Sequence, residues 1–174
     1  MEIIFRAIYN EPSETDLGHK IWHRESLLID AVSATANTGG FTPLMAIARY
    51  FRWDRDLINA ASSRCNSVGE IAIIQDVNPS LLLVPKTEGK NDETFFIADL
   101  INAANAINAE ILSFTHFGFI QNKLPSVEIR SILEVLLDKT LKTTLRVLIW
   151  DIDLRHQTEM VKLYKELQSR YKVI

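Results

Sequence analysis

The chain has a single cysteine, Cys65, so no disulfide can close within it, and a reducing compartment is the natural expectation. It has no basic excess: 19 Lys and Arg stand against 22 Asp and Glu, for a formal net charge of -3. That argues against nonspecific attachment to nucleic acid or to an anionic membrane, since both draw on a surplus of cations. No apolar run approaches the roughly 18 residues that a membrane helix needs. MEIIFRAIYNEP at the start has too short an apolar part for a secretory signal, and acidic residues follow at once. A soluble, cytoplasmic protein is expected. No repeat, low-complexity tract or long linker divides the sequence, so residues 1–174 read as one domain. With 47% hydrophobic and 24% charged residues it can bury a full core without staples. Only six glycines are present, yet two of them, Gly39 and Gly40, are adjacent.

Apolar periodicity gives the elements. EIIFRAIY (2–9) is β-branched and aromatic enough for an opening strand. Ser13 with Asp16 three residues later starts a short helix that carries Leu17 and Ile21. LLIDAVS (27–33) is a buried strand; Leu44, Ile47, Ala48 and Phe51 then form one helical face, with Pro43 in its first turn. A further short helix is expected around Asp56–Arg64. GEIAII (69–74) and SLLLV (80–84) are strands with Asn78-Pro79 turning between them, and Lys86–Glu93 is a polar loop. Phe96, Leu100 and Ala104 mark a helix, EILSFT (110–115) a strand, and Ser126–Leu141 a helix. A strand from 144 to about 150 and a helix with Met160, Leu163 and Leu167 complete the chain. Strands alternating with helices predict a mostly parallel sheet covered on both faces.

Ligands of such sheets gather beyond the carboxyl ends of the strands. Two loops there stand out: Asn37–Thr42 after one strand, and HFGFIQNKLP (116–125) after another. Each contains glycine, and each leads into a helix whose first amides can meet an anion.

The segments, in order, resemble the macro domain family, whose members bind ADP-ribose. IDAVSATAN (29–37) is similar to the family strand DAIVNAAN. TGGFTPLMAIARYF is similar to its glycine-rich loop and following helix, and CNSVGEIAIIQD (65–76) to its CPTGEAVITPG segment. SLLLVPKT, AEILSFTHFGFIQNKLPSVEIRSIL and LRVLIWDID look like the later strands and the second glycine loop, so the resemblance spans residues 29 to about 168. It implies a three-layer α/β/α sandwich with a mixed, mostly parallel central sheet, and an insertion at about 11–26. It further implies that Asn37, Thr38, Gly39, Gly40 and Phe41 lie near the distal ribose of ADP-ribose or a related nucleotide metabolite. Thr115, His116, Phe117, Gly118, Phe119 and Ile120 would cradle the diphosphate, and Trp150 would pack on adenine. The family's adenine-reading Asp is absent, and Asn10 is the nearest substitute. The histidine that some phosphatase-type members carry after the glycines is also absent; Phe41 and Thr42 occupy that region.

Plainer readings stand beside these. Gly39-Gly40 can be a helix-entry turn, and Asn37 can cap that turn through its own side chain. His19 and His23, four apart, lack a third ligand, so no metal is expected, nor a cofactor. Asp151 with Asp153 is a weak cation pair, His116 reads as a backbone-satisfied histidine, and Cys65 as a small inert core residue. Asp30, inside an apolar strand, should cap a nearby loop. Three functions follow: binding of ADP-ribose or a related metabolite; hydrolysis at the distal ribose with Asn37 as the catalytic residue; or a catalytically inert interaction protein that has lost the pocket.

Overall fold

The computed structural model describes residues 2–7, 30–39, 42–86, 96–114, 126–138, 145–151 and 161–169. The expected early helix, the insertion at 11–26, most of the polar loop after Lys86, and His19, His23 and His116 lie outside the described residues. Among the described residues six strands form one sheet: β1 (Glu2–Ala7), β2 (Ala31–Thr35), β3 (Ala72–Ile74), β4 (Ser80–Val84), β5 (Ile111–Phe114) and β6 (Arg146–Asp151). Their order is β1-β6-β5-β2-β4-β3. All pairs are parallel except β3 with β4. The sheet is thus mixed and mostly parallel, as expected. β3 is shorter than the alternation of residues 69–74 suggested, because Gly69 and Glu70 are taken up in ending the preceding helix.

Among the described residues the helices are α1 (Pro43–Phe51), α2 (Arg55–Val68), α3 (Ile97–Ala106), α4 (Ser126–Leu137) and a last one over 161–169. α2 is longer than the expected Asp56–Arg64 because both of its ends are chemically fixed. The Asp54 side chain accepts from the Asp56 amide at 2.9 Å, and Gly69 closes the far end at φ +76°, its amide donating to the Cys65 carbonyl at 2.9 Å. A side chain at that φ would be strained, so glycine is needed there.

Alternation along the central strands sorts their side chains onto two faces. On one face Ala31, Leu82, Val84, Leu112 and Val147 pack with Leu100 and Ile101 of α3, Leu133 and Leu136 of α4, and Leu167. On the other, Val32, Ala34, Leu81 and Leu83 pack with Leu44, Met45, Ile47 and Ala48 of α1 and with Ile58 and Cys65 of α2. The result is three layers, α/β/α. No described helix is long and apolar enough to cross a membrane.

Asp30 is exposed rather than buried, and it caps as expected. Its Oδ2 accepts from the amides of Glu110 and Ile111, both at 3.0 Å, which pins the start of β5 beside the start of β2. Two backbone bonds continue the same corner: Asp30 N to Ile111 O at 3.2 Å and Ser80 N to Asp30 O at 3.0 Å. Asp30→Ala should therefore lower stability in urea titration by about 1–2 kcal/mol, with Asp30→Asn losing less.

Cys65 is the small core residue the sequence suggested: it is buried, and its Sγ lies 3.3 Å from Glu70 O and 3.5 Å from Leu83 O. Burial pushes its thiol above the ordinary 9.0, outweighing a backbone hydrogen bond at Ala72 that acts the other way. A raised native value favours the neutral thiol in the fold. Its contribution is therefore fully present below the unfolded value of 9.0 and is lost as pH rises through the native value. Disulfide-exchange labelling at pH 8 should be far slower in the native protein than in urea; equal rates would contradict this placement.

Candidate functional site

The strand register fixes where the functional loops leave the sheet. β2, β4, β5, β6 and β1 run parallel, so their carboxyl ends share one edge. Phe114, the last residue of β5, pairs with Ser33 of β2 on one side and with Ile149 of β6 on the other. Trp150 follows Ile149 and pairs with Arg6 of β1. Four adjacent strands therefore end together. From the β2 end emerges the Asn37 loop, from β5 the chain toward Thr115–Ile120, and β6 ends at Trp150-Asp151. From β1 the chain continues toward Asn10. Three strand spacings separate β1 from β2, about 14 Å.

The connections from β2 and β5 part at this edge. β2 leads to α1 on one face of the sheet; β5 leads to α4 on the other. Neighbouring parallel strands whose connections go to opposite faces leave a crevice between them, the switch point at which open α/β sheets bind ligands.

Of the residues expected here, Asn37, Thr38 and Gly39 are described, as is the backbone of Trp150. Asn10, Gly40, Phe41, Thr115, His116, Phe117, Gly118, Phe119 and Ile120 lie outside the described residues. Asn37 and Thr38 are half-buried and Gly39 is exposed. Asn37 bends the chain twice: its amide donates to Thr35 O at 2.7 Å, and its Oδ1 accepts from the Gly39 amide at 3.2 Å. The plain reading of Asn37 as a side-chain cap of its own turn is therefore realised. It leaves Asn37 Nδ2 without a partner among the described residues. A Cβ on Gly39 would stand 3.3 Å from Thr42 Cγ2 and 3.4 Å from Asn37 Oδ1, so glycine here leaves room for the turn.

Thr42 closes the loop. Its hydroxyl donates to Asn37 O at 2.6 Å, with Gly39 O at 3.0 Å as a second acceptor, and its amide donates to Gly39 O at 3.2 Å. The same oxygen caps α1 by accepting from Met45 N at 3.4 Å. This leaves little of the α1 N-terminus for an anion. Pro43 has no N–H, and the Thr42 and Met45 amides are already engaged. The polar groups of Asn37, Gly39 and Thr42 are thus largely committed to the turn and the helix cap, with Asn37 Nδ2 left over among the described residues.

Two residues with roles here escaped sequence reasoning. Thr42 had a usable signal, since Thr directly before Pro43 is an N-cap signature. Asn66 had none. It sits exposed on the last turn of α2, where its Nδ2 donates to Ala36 O at 2.8 Å and its Oδ1 accepts from Lys86 N at 2.8 Å. Trp53 packs, stacked on Phe51 at a ring separation of 5.4 Å. A groove of about 530 Å³ lies between α2 and β3, lined mostly by aliphatic side chains such as Leu57, Val68 and Ile73. It flanks the outer strand, away from the carboxyl ends of β2 and β5. Among the described residues no group of three His, Cys, Asp or Glu could hold a metal ion.

No protein-family profile and no curated protein matches the chain. Solved structures do. The macrodomain of Thermus aquaticus DarG superposes with a TM-score of 0.53 at 13% identity, covering 86% of this chain and 99% of that one. A mutant macrodomain from Oceanobacillus iheyensis gives 0.56 at 16% identity, covering 97% and 92%. The IBV X-domain gives 0.56 at 13% identity, covering 92% and 97%. The chain has the macro domain fold, as the order of its segments suggested.

Removal of the Thr42 hydroxyl should loosen loop and helix together. Thr42→Val should cost about 1–2 kcal/mol in urea titration, while Thr42→Ser should stay within about 0.5 kcal/mol of the parent. Equal stability of all three would mean that the loop does not depend on this hydroxyl.

Proposed function

We propose that the crevice at the carboxyl ends of β2 and β5 binds ADP-ribose or a closely related nucleotide metabolite. The observation that carries this reading is the parting of those two strands' connections to opposite faces of the sheet, in a macro domain fold. Asn37, through the Nδ2 left over from its turn, donates to a hydroxyl of the distal ribose. Thr38, Gly39, Gly40 and Phe41 form the sugar side of the crevice. Thr115, His116, Phe117, Gly118, Phe119 and Ile120 supply backbone amides to the diphosphate, with Gly118 at the point of closest approach. Trp150 and Asn10 serve the adenine end. The order of strand ends across the edge supports this sequence of contacts: ribose at β2, diphosphate at β5, adenine at β6 and β1. Backbone amides carry the anion in this arrangement, which is compatible with a net charge of -3.

The finer reading is hydrolysis at the distal ribose. Asn37 would orient the anomeric centre, and the ligand's own diphosphate would help to activate water. Turnover of ADP-ribose-1″-phosphate that disappears in Asn37→Ala would establish this reading. Tight binding without turnover would leave a binding module.

Calorimetric titration of ADP-ribose, with AMP and ribose 5-phosphate as controls, tests the main reading. Micromolar affinity for ADP-ribose is expected, roughly 8 kcal/mol of binding free energy, with much weaker binding of either fragment. Gly118→Val should abolish the heat and leave the melting temperature in place. No heat at millimolar ADP-ribose would overturn the proposal.

A further inference from the structure

Asn66 completes a sheet rung that the backbone cannot make. In the parallel pairing of β2 with β4, Thr35 stands opposite Val84, so Ala36 stands opposite Pro85. The ladder continues one step past the strands, with Ala36 N donating to Val84 O at 2.8 Å. The next parallel rung would join Lys86 N directly to Ala36 O. Instead, the Asn66 carboxamide is inserted between them. Lys86 N donates to its Oδ1 and its Nδ2 donates to Ala36 O, each at 2.8 Å. The two chains are held apart by one amide group at the point where β2 turns into the Asn37 loop. Direct pairing would draw that loop toward β4; with the wedge in place it starts from a fixed, splayed position.

The wedge itself is anchored. Asn66 follows Cys65, whose Sγ contacts Glu70 O and Leu83 O and whose carbonyl receives the Gly69 cap. The last turn of α2 is thereby tied to β4 and to the approach to β3, so the carboxamide has little freedom to move with the loop. On the other side, only two bonds separate Ala36 O from the Asn37 amide, which begins the double bend toward Gly39.

We infer that Asn66 is a positioning residue for the ligand site: it sets the direction of Asn37 without touching the ligand. The inference rests on the ADP-ribose reading for its binding consequence, but not for its structural one. Two variants and a control separate the cases. Asn66→Ala removes both bonds. Asn66→Asp keeps an acceptor for Lys86 N and replaces the donor to Ala36 O with an oxygen. Ser67→Ala, on the next and equally exposed position, changes neither bond.

In calorimetry, ADP-ribose affinity should fall roughly tenfold in Asn66→Ala and in Asn66→Asp, and stay unchanged in Ser67→Ala. In amide hydrogen exchange, Lys86 should lose protection in Asn66→Ala but keep it in Asn66→Asp. In amide NMR spectra of the unliganded protein, Asn37 and Gly39 should shift in both Asn66 variants, which stay folded with a lowered melting temperature. Parent-like affinity together with unmoved Asn37 and Gly39 signals would overturn the inference. If the parent chain itself gives no heat with ADP-ribose, the ligand reading fails, and the NMR signals alone decide: shifted loop amides support the positioning role, unshifted ones end it.

Discussion

The double burial of β2 is the constraint on which the rest depends. The strand sits at the centre of the sheet between β4 and β5, and both of its faces are shut off from water. Ala31, Val32, Ser33 and Ala34 are all fully buried. A strand in that position must be covered by helices on both sides, because an uncovered face would expose apolar surface worth roughly 25 cal/mol per Å². α1 and α2 cover one face; α3, α4 and the last helix cover the other. Once both faces must be covered, the connections of some neighbouring strands have to part, as those of β2 and β5 do. The crevice expected at their carboxyl ends is a consequence of core packing.

The small side chains of β2 serve the same end. Residues 31–36 read AVSATA, with one Val as the largest member. Small residues let α1 approach the strand closely, and the large aliphatics that fill the interior come from the helices and from Leu81–Leu83 of β4. A strand built this way contributes little packing volume of its own. The ladders to β4 and β5 hold it along its length, and further hydrogen bonds tie its two ends. At the start, the Asp30 carboxylate takes both the Glu110 and Ile111 amides. At the end, Ala36 bonds to Val84 and, through Asn66, to Lys86.

The parts of this arrangement visible in the sequence are those governed by period and composition. β4 was read to the residue, and the alternation of strands and helices gave the sheet type, because apolar spacing is set by burial and burial is what the fold demands. Segment order also carried the family likeness, since loops and glycines mark where strands end. The boundaries of α2 and β3 were harder to read, because Asp54 and Gly69 decided them through single hydrogen bonds and one positive φ. At the site, Asn37 was legible as a turn residue next to glycine. Asn66 was not legible, since nothing local distinguishes an exposed Asn on a polar helix end from one that bridges two strands 30 and 20 residues away. Its role depends on register between distant segments, which a single sequence does not display.

The first loop, finally, commits the polar groups of Asn37, Gly39 and Thr42 largely to its own turn. The Asn37 amide and Oδ1, the Gly39 amide and carbonyl, and the Thr42 hydroxyl and amide all bond within the turn. A loop organised only on binding would lose conformational entropy at that moment, and affinity would fall accordingly. Here the bend at Asn37–Gly39 is made as part of folding. The same economy limits what the loop can do. With Asn37 Oδ1 already accepting from the Gly39 amide, the side chain's free group among the described residues is its Nδ2 donor, and a carboxamide is not a base. It can hold a hydroxyl oxygen in place, but it cannot take a proton from one. The chemistry open to the Asn37 side chain is that of orientation.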